Sequence, residues 1–148
     1  MQFHLTKAET MRPIALATVL AGVALIGLTA FVGTSRPTLE LSYTADCQNS
    51  ADWQSLLEAE GFDVRAAQVS NLSLSEQQAM MITPASMRDC KIGRVAGYSV
   101  IGEVPSGDIV TLLRRKPADV IALARDDQTD ETVAIHYDGS VERSRSSQ

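Results

Sequence analysis

An apolar run at residues 13–33, PIALATVLAGVALIGLTAFVG, contains no charged residue. At about 1.5 Å of rise per residue, a helix of this length crosses the ~30 Å hydrocarbon core of a bilayer. Gly22, Gly27 and the alanines are small residues of the kind that let transmembrane helices pack closely. The run therefore predicts a single N-terminal transmembrane helix, preceded by a short cytoplasmic N-terminus at residues 1–12.

Two other interpretations of the run are a cleaved signal peptide and a buried helix of the domain. The run is longer than the apolar part of a signal peptide, which spans about 7–15 residues. Phe31 and Val32 also stand where a cleavage site has small residues. An uncleaved anchor is therefore favoured. Lys7 and Arg12 precede it, so the positive-inside rule places the C-terminal domain outside the cytoplasm, although Arg36 weakens the asymmetry.

The remainder of the chain is acidic. Residues 37–148 contain 10 Lys and Arg against 17 Asp and Glu, a net charge of −7. Phosphate recognition needs the opposite sign, so nucleic acid is excluded as a partner. A total length of 148 residues allows one ordinary domain and excludes a two-domain enzyme.

Strand and helix periodicities alternate along residues 39–143. Their order, β-α-β-α-β-β-α and then β, is typical of a small layered α/β domain. A linker at residues 34–38 precedes this domain, and a polar tail at residues 144–148 follows it. The strands are predicted in residues 39–45, 62–69, 93–104, 119–125 and 132–143, with a turn at Asp138–Gly139, and the helices in residues 46–61, 71–82 and 106–117.

The predicted helices carry start signals and apolar faces. The expected N-caps are Asn49 or Ser50, Ser73 or Ser75, and Ser106 or Asp108. Gly61 is expected after the first helix, and Pro84 and Pro117 are expected to end the other two. The expected apolar faces are Trp53, Leu56 and Leu57 in the first helix, and Ile109, Leu112 and Leu113 in the third.

Cys47 and Cys90 are the two cysteines of the chain. Outside the cytoplasm they are expected to form a disulfide, which the loop-entropy estimate values at about 4 kcal/mol. Two buried thiols are the alternative. Cys47 follows a strand and precedes a helix N-terminus, a position that lowers the pKa of a thiol and that thioredoxin-like folds use for their reactive sulfur. Ser50 replaces the second cysteine of a CxxC pair, which disfavours a thioredoxin-type exchanger.

The sequence contains few other features of a redox or catalytic site. Thr83–Pro84 is a candidate for the cis-proline turn near a reactive sulfur, with an ordinary trans turn as the alternative. The chain has no HExxH, GxGxxG, P-loop or nucleophile-elbow motif. We therefore predict that it is not an enzyme.

Residues 47–53, CQNSADW, and residues 95–109, VAGYSVIGEVPSGDI, resemble the CopG-like proteins of bacterial copper-resistance systems. The resemblance runs from about residue 39 to residue 117. It implies a periplasmic, thioredoxin-like domain. Together with the predicted anchor at residues 13–33, this gives a single-pass protein of the bacterial inner membrane. The family's cysteine thiolates are soft ligands thought to hold copper. The residues that match the family's scaffold are Trp53, Pro84, Gly97, Tyr98, Gly102 and Pro105.

The chain departs from the family's pattern at the ligands. That pattern has Cys-Gly-Cys-Cys-x-x-Trp, then Ser-Cys-His and Gly-His-Val-Pro. Cys47 and Cys90 match the first and the later cysteine. The replacements are Gln48, Asn49 and Ser50 for Gly-Cys-Cys, Asp89 and Lys91 for the serine and histidine around Cys90, and Glu103 for the last histidine.

These departures lead to three hypotheses. The first is that the domain has lost most metal ligands, binds no cofactor and acts as an interaction module or accessory subunit. Its partner is then a membrane complex or another periplasmic protein. The second is residual copper binding, or a copper-chaperone role, through Cys47 and Cys90 with Met80, Met81 and Met87 as thioether ligands. Packing of these methionines against the sheet is the simpler interpretation. The third is a thiol–disulfide redox module.

Overall fold

The computed structural model describes residues 35–143, and the structural statements below concern this range. The predicted cytoplasmic segment 1–12, the anchor 13–33 and the tail 144–148 lie outside the described residues. Among the helices in this range, none combines the length and the apolar character needed to span a bilayer.

Within residues 35–143 the chain forms a mixed sheet of seven strands with three α-helices, so the predicted α/β class is confirmed. The strands are β1 Thr38–Tyr43, β2 Asp63–Gln68, β3 Lys91–Val95, β4 Tyr98–Ile101, β5 Val120–Asp126, β6 Glu131–His136 and β7 Val141–Arg143. The helices are α1 Ser50–Ala59, α2 Asn71–Met80 and α3 Ser106–Arg115, and a 3₁₀ turn covers Ala85–Met87.

The strand order across the sheet is β2-β1-β3-β4-β5-β6-β7. The pairs β1–β2 and β4–β5 are parallel, and the other neighbours are antiparallel. Parallel neighbours need a crossover connection. Here α1 supplies the crossover between β1 and β2, and α3 supplies the one between β4 and β5.

The two faces of the sheet carry separate cores. One core contains Trp53 and Leu57 of α1 together with Ile109 and Leu112 of α3, so both crossover helices cover the same face. The other core contains Leu74 of α2. Its strand members are Ile92, Ile101, Ala122, Ala124, Val133 and Ile135.

The expected apolar face of α1 is wrong at one position. Trp53 and Leu57 are buried, but 65% of Leu56 is exposed. Residues at i and i+4 of a helix lie one above the other. The sheet therefore covers the narrow stripe through Trp53 and Leu57 and leaves Leu56 in solvent.

Two of the expected helix caps are also wrong. The N-cap of α2 is Ser70, whose hydroxyl accepts a hydrogen bond from the Ser73 amide at 3.2 Å, so α2 begins before Ser73 and Ser75. The N-cap of α3 is Pro105, without a side-chain cap. Asp108 instead accepts a hydrogen bond from the Thr132 hydroxyl at 2.6 Å, which ties α3 to β6.

The suggestion of a cis peptide bond before Pro84 is wrong, because every peptide bond in the described range is trans. Pro84 does not end α2 directly either. The helix stops at Met80, and Pro84 precedes the 3₁₀ turn and accepts the amide hydrogen bond of Met87 at 2.9 Å.

The predicted turn at Asp138–Gly139 is confirmed between β6 and β7. Gly139 has φ 81°, a value in the left-handed region that favours glycine. The hydroxyl of Ser140 donates to the Asp138 carboxylate at 2.6 Å, and the Ser140 amide donates to it at 2.9 Å. These two hydrogen bonds lower the pKa of Asp138 below its ordinary value.

The position of α3 predicts effects of very different size on stability for two neighbouring substitutions. Ile109 is fully buried, so Ile109→Ala is expected to lower the free energy of unfolding by about 2–5 kcal/mol. Val110→Ala is the matched control, because Val110 is exposed, and we expect a change within about 0.5 kcal/mol. Urea unfolding measures both, and equal losses would contradict this placement of α3.

Candidate functional site

The two cysteines meet because β1 and β3 are neighbours. Tyr43 near the end of β1 pairs with Lys91 at the start of β3, and the Thr44 amide donates to the Cys90 carbonyl at 3.0 Å. Cys47 and Cys90 form a disulfide across this junction, with their Cα atoms 5.3 Å apart. Both residues are half-buried. The expected disulfide is thus present, and the segment that it closes contains α1, β2 and α2.

Lys91 places a buried ammonium group beside this disulfide. Its side chain is only 5% exposed. The Nζ atom lies 3.9 Å from Cys47 Sγ, 3.4 Å from Asp89 Oδ1 and 3.2 Å from Glu103 Oε1. A lysine ammonium has three donors and no acceptor, so these three partners match its capacity.

The two carboxylates approach the ammonium from different segments. Asp89 precedes Cys90, and its carboxylate also accepts the Lys91 amide at 3.1 Å. Glu103 lies in the connection between β4 and α3. Gly102, next to it, has φ 75°, and a Cβ there would lie 3.1 Å from Asp89 Oδ2. Glycine therefore permits this connection to pass close to the Asp89 carboxylate.

The family-matching scaffold residues hold the loops around this centre. The Trp53 indole donates to the Val104 carbonyl at 3.2 Å, which ties α1 to the residue after Glu103. Pro105 accepts the Asp108 amide at 3.0 Å at the start of α3. The Tyr98 hydroxyl donates to the Pro117 carbonyl at 3.0 Å, and Gly97 with φ 86° forms the turn before β4.

The three methionines suggested as thioether ligands occupy different environments. Met81 is buried and Met87 half-buried, and both pack in the core that contains Ile92 on the α2 face. Met80 is 71% exposed. The positions of Met81 and Met87 agree with packing of α2 and the 3₁₀ turn against the sheet.

The donor set at the centre does not fit copper in this disulfide-bonded state. Cys47, Asp89 and Cys90 offer ligand atoms that lie within 4.8 Å of one another. Cysteine binds metals as a thiolate, however, and here the two sulfurs are bonded to each other, so neither is a thiolate. The Lys91 ammonium adds a positive charge 3.9 Å from Cys47 Sγ. Like charges repel, so this ammonium disfavours a second cation beside the sulfur.

Sequence reasoning identified the replacements at Asp89, Lys91 and Glu103 but not that they form one cluster. A signal was available, because a lysine and a glutamate stand at the two positions where the sequence analysis expected histidines. Opposite charges at two positions that converge on one centre favour an ion pair in place of a metal.

Comparison with solved structures gives two similar chains, both titled copper resistance protein CopG, as Form 1 and Form 2. Form 1 has a TM-score of 0.63 and 25% identity, over 74% of this chain and 95% of the other. Form 2 has a TM-score of 0.63 and 27% identity, over 74% of this chain and 96% of the other. No model of a protein family and no curated protein matches the chain.

Because the ammonium is buried and the carboxylates are partly exposed, removal of the carboxylates is predicted to cost more stability than removal of the ammonium. The double change Asp89→Asn with Glu103→Gln leaves a buried ammonium without a counter-charge. We expect it to lower the free energy of unfolding by about 3 kcal/mol. Lys91→Met leaves carboxylates that are 21% and 46% exposed and accessible to water, so we expect a loss of about 1 kcal/mol.

Asp63→Asn is the matched control for these unfolding measurements. It removes the exposed ion pair of Asp63 with Arg65, whose side chains are 50% and 70% exposed. Such a pair contributes about 0.5 kcal/mol or less. A double change at Asp89 and Glu103 no more costly than this control would show that the buried ammonium does not need its carboxylates.

Proposed function

We propose that this chain, which is similar in fold and sequence to copper resistance protein CopG, acts as a non-catalytic interaction module or accessory subunit of a membrane complex, without a bound cofactor. The proposal includes the placement expected from the sequence. Residues 13–33 anchor the protein in the bacterial inner membrane, and a thioredoxin-like domain lies in the periplasm. The half-buried disulfide just before α1 supports the thioredoxin-like assignment.

The main observation that supports this proposal is the position of the Lys91 ammonium. It lies among the Cys47 sulfur and the carboxylates of Asp89 and Glu103. In the family's pattern, the positions of Asp89, Lys91 and Glu103 hold a serine and two histidines. An internal cation that is already neutralised by its neighbours supports the shape of the centre without metal. The scaffold hydrogen bonds of Trp53 and Tyr98 are retained around it. Retention of the scaffold without the ligands favours a role for the domain surface.

Ile82 supports a contact role for the surface at the end of α2. Its φ of 55° places a β-branched residue in the left-handed region, which costs about 1–2 kcal/mol. The side chain is nevertheless 51% exposed, and its Cγ2 atom approaches the Gly139 turn. Stability alone would favour glycine or asparagine at this position. Met80, two residues before Ile82, and Tyr137, two residues before Gly139, are also exposed.

Isolation of the full chain from its own membranes in mild detergent tests the accessory-subunit role. We expect a second protein in stoichiometric amount. Ile82→Asn should remove this partner while the free energy of unfolding stays within about 0.5 kcal/mol or rises, since asparagine tolerates the left-handed conformation. Leu56→Asn, at an exposed leucine of α1, is the control that should keep the partner. A chain that purifies alone would contradict the proposal.

Copper binding by the reduced protein is the second candidate function, favoured by the proximity of Cys47, Asp89 and Cys90. The family's pattern suggests a gain-of-function control, the double variant Lys91→His with Glu103→His. If the ion pair has replaced the metal, reduced parent protein should retain well under one Cu(I) per chain after dialysis, and the double variant should retain about one. Elemental analysis measures both.

One tightly held Cu(I) in the reduced parent, lost in Cys90→Ser, would instead assign a copper-binding or chaperone role. Copper retained by neither protein, together with native circular dichroism, would show that histidines at these two positions do not restore a site.

A further inference from the structure

The two sulfurs of the disulfide have different surroundings. Cys47 Sγ accepts from the Lys91 ammonium at 3.9 Å, and in residues 35–143 no such hydrogen bond reaches the Cys90 sulfur. Cys47 also precedes α1, whose first residue, Ser50, hydrogen-bonds back to the Cys47 carbonyl at 3.5 Å. Cys47 thus lies two residues before the N-cap Asn49, next in sequence to the positive end of the α1 dipole.

This asymmetry matters for thiol–disulfide exchange. In exchange, a thiolate attacks one sulfur and the other sulfur leaves as a thiolate. A sulfur beside a cation and a helix N-terminus is the better leaving group, because its negative charge is stabilised there. The surroundings of Cys47 therefore direct attack to Cys90.

We propose that the Cys47–Cys90 disulfide is an exchange centre that accepts two electrons from a dithiol. Cys90 is the attacked sulfur, Cys47 is the leaving sulfur, and Lys91 positions and stabilises the leaving thiolate. The proposal goes beyond the accessory role and does not depend on it. The exchange is stoichiometric and needs no metal.

Reduction of the disulfide takes place in two steps. One thiolate of the dithiol attacks Cys90 Sγ, a mixed disulfide forms, and the electron pair of the broken S–S bond stays on Cys47 as a thiolate paired with the Lys91 ammonium. The second sulfur of the dithiol, after losing its proton to solvent, then attacks the mixed disulfide on its own first sulfur. Cys90 leaves and takes up a proton. The dithiol is oxidised to a disulfide, and the protein is reduced to Cys47 thiolate and Cys90 thiol.

The Glu103 carboxylate competes with the Cys47 thiolate for the Lys91 ammonium. It shares the ammonium with Cys47, at 3.2 Å from Nζ, and is 46% exposed. Its removal leaves Lys91 more fully available to the Cys47 thiolate. Lys91→Met and Glu103→Gln are therefore expected to shift the reduction of the disulfide in opposite directions, which a general loss of stability would not do.

The test equilibrates the full chain in detergent with mixtures of reduced and oxidised dithiothreitol and counts thiols after an acid quench. Lys91→Met is expected to lower the equilibrium constant for reduction about tenfold, equivalent to about 30 mV, and to slow reduction. Glu103→Gln is expected to raise the constant severalfold. Lys116→Met, which removes an exposed lysine outside the cluster, should stay within twofold of the parent.

A second measurement on the unaltered protein identifies the attacked sulfur. Brief treatment with 2-mercaptoethanol, an acid quench, alkylation of free thiols and peptide mapping should place at least five times more adduct on Cys90 than on Cys47. Preferential adduct on Cys47, a disulfide that dithiothreitol reduces only after unfolding, or Lys91→Met indistinguishable from Lys116→Met would each overturn the proposal.

Discussion

The register between β1 and β3 is the constraint on which the rest of the centre depends. Pairing of Tyr43 with Lys91 brings together two cysteines that are separated by 43 residues in the sequence. It also points the Lys91 side chain away from Ile92, whose side chain lies in the core on the α2 face. Because side chains alternate across a strand, a slip of one residue would exchange these two positions. The ammonium would then enter an apolar core without a counter-charge.

Within that register, the chain supplies its own cation at the centre. Burial of a lone ammonium is costly, and two carboxylates from separate segments offset the cost here. Such an arrangement links the start of β3, the residue before Cys90 and the connection between β4 and α3. The region beside the disulfide is therefore occupied by an ion-pair cluster built from the chain's own side chains.

Hydrophobic periodicity was sufficient to predict the order of strands and helices, because most elements place one face against the sheet or core, although the edge strand β7 is exposed along its length. The disulfide also followed from composition and predicted placement. Details that depend on tertiary packing were not accessible. Asp108 was expected to cap α3, yet its carboxylate accepts the Thr132 hydroxyl of β6. The environment of Lys91 depends on three segments at once, so no local pattern around it predicts its burial.

The position of the disulfide also determines how the domain carries tension. A pull that enters at residue 35 and leaves at residue 143 runs along β1, crosses the Cys47–Cys90 bond and continues into β3. The helices α1 and α2 and the edge strand β2 lie in the closed segment and are bypassed. An extended chain spans about 3.4 Å per residue, so a segment of 43 residues would reach about 145 Å. While the bond is intact, this segment cannot be extended by the pull. Reduction would release that length, so one chemical step would change the mechanical reach of the domain.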